Sequence, residues 1–543
     1  MQLDRRALIA PATLCLLLGY TACGADSAGS SDFAPGAPGG AADAGTGGGG
    51  YADTGAVDTA PPPEREVESS YESPVATGRY VWIANPKSGR VAYIDATTLA
   101  VNVVEAGNAP TYLAAVPSPP DQDVAITLNV LSDDATLLRK TSAGLTAKTF
   151  STHHGANAWK LSADGRWAIA WTDAKGVKSA GKTEGFQDLT VVDLTEKVPP
   201  TVLAVGYRPV TVGFTRDAKS AWAVTQDGIT IISLEGTGLE GSGPLVTKNV
   251  PIADKPLEDT GTRDVSVTPD GTWALIRRDG EKNIGLVSLL TGSRVTVTLS
   301  GPVTDLDLSE DGSRAVAVVR DTSEVAILPL PGITTKPDTF TVVPITGETI
   351  GSVSIAKTGT TAVLYTNAVP TERFTVLKLG SGTEAPSFQV QKLYSPVLAV
   401  FPTDDAKNAV VLHEKSKTDT STRAAAFSVV PIAAGLPAKI VGTDAFPMAV
   451  ALAPTSDRAV ITERDDTRKI YGAFLAKMPS LAVERYPLAS PPIAVGIVAG
   501  AKRAYVAQEH PEGRITFIDL DGGTARTLTG FELSARVVDG SKP

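Results

Sequence analysis

One four-part module, clearest at Arg263–Pro302, constrains this 543-residue chain more than anything else in it. Val265 and Val267 open a short alternating run that Pro269-Asp270-Gly271 closes. Gly271 supplies the positive φ of a tight turn, and Pro269 cannot continue a ladder. Trp273–Arg277 is the second run, with Ala274, Leu275 and Ile276 as its buried centre, and Asp279-Gly280 turns the chain again. Ile284, Leu286, Val287 and Leu289 make the third run. In the fourth, Val295, Val297 and Leu299 alternate with threonine, the pattern of a half-buried strand. No run reaches the roughly 10–12 residues of a helix. Four strands joined by minimal turns pair antiparallel, as a meander.

The template can be laid down ten times. Its second strand starts near Tyr80, Val124, Trp167, Ala221, Trp273, Ala315, Thr361, Ala409, Arg458 and Arg503, 42 to 54 residues apart. The turn before it recurs as Ser162-Ala163-Asp164-Gly165, Ser309-Glu310-Asp311-Gly312 and Ala356-Lys357-Thr358-Gly359, and more loosely at Pro402–Lys407 and Pro454–Asp457. The second copy is the poorest, with a proline-rich turn at Pro117–Asp123 and a polar third strand at Thr136–Lys140. This period is the one expected of propeller blades. The expected fold is all-β: a single large β-propeller of four-stranded antiparallel blades over residues 79–540. Ten is the best count, and seven to nine stays open if copies share a blade, since most propellers have about 4–8. The first copy reads as starting at its second strand. Glu532–Asp539 reads as a first strand with nothing after it, so the C-terminus is expected to pair beside Tyr80–Ala84 and close the ring.

The N-terminal 22 residues have the form of an export signal. Arg5 and Arg6 precede a mostly apolar run, Ala7–Gly19. Tyr20-Thr21-Ala22-Cys23 resembles a bacterial lipobox, with Tyr20 where Leu is usual. That resemblance implies that Cys23 is lipidated and becomes the first residue of the mature chain. An ordinary signal peptide or an uncleaved anchor is the alternative, although the apolar run is shorter than the roughly 20 residues of a spanning helix. The other cysteine, Cys15, lies inside the signal. The propeller region therefore has no disulfide framework, thiolate metal site or cysteine nucleophile. Residues 23–78 are rich in Gly, Ala, Ser, Asp and Pro, with Gly47–Gly50 and Pro61–Pro63 as landmarks, and read as a disordered tether. Such a chain spans roughly 40 Å r.m.s..

Tyr80–Asp95 and Ala504–Asp519 resemble the YVTN-type propeller repeat, which is related to lactonase-like and haem nitrite reductase propellers. The resemblance implies a propeller and leaves its activity open. Lactonase-like propellers carry carboxylates and an Asn around a divalent metal at one mouth, a constellation that these repeats do not place residue by residue. A covalent haem would need a Cys-x-x-Cys-His segment, and the sequence has none.

A net charge of −10 disfavours a phosphate backbone, so no nucleic-acid partner is expected. His153-His154 are adjacent and, in a strand, point to opposite faces, which argues against joint chelation. They read as an exposed connection between blades, and His413 and His510 as loop or rim residues. Arg263, Asp264, Asp305 and Asp307 fall on or beside first strands, which line a propeller's channel. Asp305 and Asp307 share one face, where paired carboxylates could bind a cation or act as acid and base; a hydrated channel wall is the plainer reading. Asp404-Asp405 and Asp465-Asp466 lack calcium-loop spacing, and no phosphate loop or nucleophile elbow is present. No cofactor is expected. The expected function is a lipid-anchored, extracytoplasmic scaffold in the bacterial cell envelope that binds a protein or ligand. A metal-dependent lactonase-like hydrolase is the alternative, and a redox propeller working with a partner subunit comes third. Fold analogy cannot choose among them.

Overall fold

Short runs of Val, Ile, Ala and aromatic residues, most of them followed by a turn residue with positive φ, make each segment a strand of four to eight residues in nearly every case. The computed structural model describes residues 74–531, except 174–185, 237–241, 254–262, 383, 415–424 and 479. Cys23, the signal, most of the expected tether and Glu532–Asp539 lie outside the described residues. The strands form ten four-stranded sheets, each an antiparallel meander in chain order. Seven of the expected second-strand starts are met to the residue, and Asp123, Ser220 and Arg314 begin one residue early. The large ring is therefore real, and no two copies share a blade.

The core lies between blades. Second and third strands are buried along most of their length, as in Trp167–Trp171 and Glu324–Pro329, while outer strands such as Arg294–Thr298 alternate. Nine apolar clusters fill all ten gaps between neighbouring blades. One of them closes the circle, packing Val81, Ile83 and Ile94 of the first blade against Val498, Tyr505 and Phe517 of the tenth. Across the same seam, Arg503 donates to the Ala96 carbonyl at 2.6 Å, the Tyr505 hydroxyl to Pro74 at 2.8 Å, and the Gly500 amide to Gly78 at 2.9 Å.

The first blade differs from the expectation at its inner edge. It does not start at its second strand. Val75–Ala76 takes the inner position and pairs with Trp82 and Val81. Those two residues fall within the stretch read as tether, because a two-residue strand beside low-complexity sequence has no periodicity to show.

A meander gives each blade two ends. Turns between first and second strands, and between third and fourth, lie on one face of the ring, here called the hairpin face. The second-to-third turns and the links between blades lie on the other, the connection face. No helix among the described residues is long and apolar enough to cross a membrane.

Candidate functional site

Asp264, Asp305 and Asp307 all sit on inner strands: Arg263–Val267 of the fifth blade and Val303–Leu308 of the sixth. The two aspartates of the sixth blade hold blades together. Asp305 Oδ2 accepts the Val353 amide at 2.8 Å, and Asp307 Oδ2 accepts the Ile355 amide at 2.7 Å. Val353 and Ile355 belong to Ser352–Ile355, the inner strand of the seventh blade. The other carboxylate oxygens accept the amides of Leu306 and Leu308, each at 2.9 Å. The two aspartates are only 8% and 7% exposed. They share a face, as their spacing requires, and that face is turned to the neighbouring blade. An inner strand has a free edge, and these carboxylates cap its amides.

Asp264 is held by Arg277, whose Nε reaches Asp264 Oδ2 at 3.0 Å and whose Nη2 bonds to the same oxygen. Arg277 Nη1 donates to Asp279 at 2.6 Å and to the Val303 carbonyl of the next inner strand at 3.1 Å. Burial works against the guanidinium charge, yet the facing carboxylates Asp264 and Asp279 hold its pKa above the ordinary arginine value. Arg263 opens the same strand, and its side chain lies outside what the structure describes. Further links continue the series. Thr304 donates to the Gly351 carbonyl at 2.9 Å, and Asn367 Nδ2 to the Leu398 carbonyl at 3.0 Å.

The histidines separate. His153 is buried, with Nδ1 2.8 Å from Thr190 Oγ1 and Nε2 3.3 Å from Thr172 Oγ1. His154 is exposed, 2.8 Å from Asp133. His413 is no rim residue. It ends the strand Ala409–His413 with none of its surface exposed, between the Pro396 carbonyl at 3.2 Å and Ser428 Oγ at 2.7 Å. Burial pushes His153 and His413 down to about 4. Both histidines tie an incoming inter-blade connection to its blade at the connection face. Glu463 does the same in the ninth blade, where it accepts the amides of Asp444 and Ala445, both at 3.1 Å, and Arg485 Nε at 2.7 Å. Glu463 was not singled out from sequence, because one glutamate at a strand end has no spacing to mark it.

A cleft of about 660 Å³ opens on the connection face between the ninth and tenth blades. It is lined by Arg464, Asp466, Pro491, Glu509, His510 and Pro511. Arg464 is committed there to Asp466 at 2.8 Å, Glu509 at 3.2 Å and the Pro492 carbonyl at 3.3 Å. Among the described residues, no group of three or more His, Cys, Asp or Glu side chains is placed to hold a metal ion.

No protein-family model and no curated protein matches the chain. Solved structures resemble it. Dihydro-heme d1 dehydrogenase NirN in complex with DHE is 12% identical with a TM-score of 0.41, over 80% of this chain and 76% of that one. Hydrazine synthase of Kuenenia stuttgartiensis is 18% identical at 0.31, over 61% and 99%. A eukaryotic initiation factor is 10% identical at 0.46, over 83% and 97%. At such values these likenesses carry no argument about activity. What stands on the structure is a ten-bladed β-propeller in which Asp305, Asp307 and Arg277 bond to the inner strands of neighbouring blades.

Proposed function

We propose that this protein is a scaffold tethered to a bacterial envelope membrane through a lipid on Cys23, and that the loops of its ring bind a protein partner outside the cytoplasm. One observation carries the reading: Asp305 and Asp307, the paired inner-strand carboxylates that could have formed a reactive centre, are used up as blade-to-blade bonds to Val353 and Ile355, and Asp264 is held by Arg277 of its own blade. That leaves the ring offering two loop-covered faces on a stiff frame, the usual basis of a recognition surface. The lipobox resemblance at Tyr20–Cys23 supports the anchor. We read the repeats as YVTN-type. The two stretches that carry this resemblance, Tyr80–Asp95 and Ala504–Asp519, fold as the same second-to-third-strand hairpin in the first and tenth blades.

Two measurements test this. Cys23→Ala should move the protein from the membrane to the soluble fraction, and retention in the membrane would remove the lipid anchor from the reading. Affinity purification of the tagged protein from cross-linked, detergent-solubilised membranes should recover a protein in stoichiometric amount. Recovery of the protein alone would overturn the scaffold.

A further inference from the structure

We propose that the inner row of the first blade is composite, Val75–Ala76 filling the half near the hairpin face and the C-terminal segment Glu532–Asp539 docking on the half near the connection face.

The surface comes first. Inner strands of the other nine blades run from four to seven residues, whereas that of the first blade has two. Its neighbour, Tyr80–Asn85, is six residues long, and pairing with Val75–Ala76 covers only Val81 and Trp82. Ile83 and Ala84 continue the strand toward the connection face with no inner strand opposite them among the described residues. Pro74, the first described residue, precedes Val75 and turns its carbonyl to the Tyr505 hydroxyl of the tenth blade at 2.8 Å.

The occupant follows from where the described chain ends. Each outer strand must hand the chain to the inner position of the next blade. In the first, second, third, fifth, sixth and seventh blades the hand-over begins with one bond, from the residue after the outer strand to the second-to-third turn. Examples are Ala106 to Gly89 at 2.9 Å, Ile345 to Ser323 at 2.8 Å and Leu393 to Glu372 at 2.8 Å. The tenth blade makes the same bond, Gly530 to Gly513 at 3.1 Å. The blade that follows it around the ring is the first. Phe531, the next residue, is buried in the cluster that joins those two blades. The chain thus leaves the tenth blade aimed at the open half of the first. The segment that follows alternates Leu533, Ala535 and Val537 with Ser534 and Arg536, as a half-buried inner strand does. Eight residues span about 26 Å when extended, ample to reach Ile83 and Ala84.

Hydrogen exchange resolved by peptide on the full chain tests the docking. The amides of Leu533–Val538 should exchange at least about 100-fold slower than an unstructured chain. Deleting residues 532–543 should speed exchange at Ile83–Ala84 while leaving the sixth blade unchanged. Random-coil exchange at Leu533–Val538 overturns the proposal. So does protection that appears instead in residues 70–73, which would make the N-terminal chain the occupant. This readout is independent of any partner, so the scaffold reading and the docking can fail separately.

Discussion

In eight of the ten blades a residue of positive φ sets the first turn, and the chain does not always fill it with glycine. Gly165, Gly271, Gly312 and Gly359 hold it at φ of 70° to 73°, while Ala218, Ala406, Ser456 and Lys502 hold it at 49° to 60°. An L side chain in this region costs about 1–2 kcal/mol, part of which glycine's greater unfolded freedom takes back. Ala406→Gly should therefore stabilise the protein by about 0.5–1 kcal/mol, read as a higher denaturant midpoint; an unchanged or lower midpoint would refute the strain argument. At Gly165 the opposite change is severe, since an added Cβ would lie 1.8 Å from the Pro117 carbonyl of the preceding blade. Gly165→Ala should cost at least about 2 kcal/mol. The same turns show a device that sequence reading passed over. A hydroxyl two residues before an aspartate donates to it and caps the second strand's first amide: Thr268 to Asp270 at 2.6 Å with Trp273 N–H at 3.0 Å, and again at Ser309 with Asp311 and Thr403 with Asp405. The Asp-Gly pairs were legible; the Ser or Thr two positions earlier was equally visible and was not used.

Burial of two histidines gives a pH dependence with a definite sign. His153 and His413 are lowered by burial from 6.5 to about 4, so the unfolded chain takes up their protons first as pH falls. Their contribution is fully present above about pH 6.5 and is lost progressively down to about pH 4. Between pH 7 and pH 5 the loss is about 2 kcal/mol for each histidine. Urea midpoints across that interval check it, because most carboxylates have yet to titrate there. A His413→Gln variant should lose about half of the slope, and an unchanged slope would place the titration elsewhere.

At the scale of the element, the ten meanders were legible because period-2 runs and Asp-Gly turns recur at a fixed interval, and interval alone predicts blades. What the inner strands do was not legible. Asp305 and Asp307 two apart on a first strand imply a shared face, but the sequence does not say whether that face meets water or the neighbouring blade. The amides of Val353 and Ile355 decide it, and they lie 48 residues away in the chain. His413 was likewise placed on the rim because it follows an apolar run, whereas the strand runs through it and Ser428 meets its ring. If the carboxylates cap a strand edge, Asp307→Ala leaves the Ile355 amide buried and unpaired, at a cost of about 1–3 kcal/mol. Asp307→Asn keeps one acceptor for the Ile355 amide but turns its NH2 group to the Leu308 amide, and should lose less than Asp307→Ala. Equal losses in the two variants would mean that the charge, and not the bond to the next blade, is what matters.

For the whole molecule, a ring is as strong as its seam. Three guanidinium groups occupy one position in the repeat, the start of a second strand, and each donates to a carbonyl just past the third strand of the following blade: Arg314 to Gly380 at 2.9 Å, Arg458 to Leu520 at 3.1 Å and Arg503 to Ala96 at 2.6 Å. The first two span gaps that the backbone also crosses. Arg503 spans the gap between the tenth blade and the first, 407 residues apart in the chain, where side-chain packing and a few bonds do the joining. Removing any of these groups should cost about 1–2 kcal/mol at equilibrium. The kinetics should differ. If residues 532–543 help to join the two blades, their deletion and Arg503→Ala act on one gap and should couple, so that Arg503→Ala raises the unfolding rate more in the shortened chain than in the full one. Arg314→Ala, at a gap that the backbone crosses, should raise it equally in both. A cycle of four unfolding rates for each arginine decides the matter. Additive effects at Arg503, with no effect of the deletion by itself, would show that the C-terminal residues contribute nothing to the seam, and that Val81, Ile83, Tyr505 and Phe517 hold it closed without them.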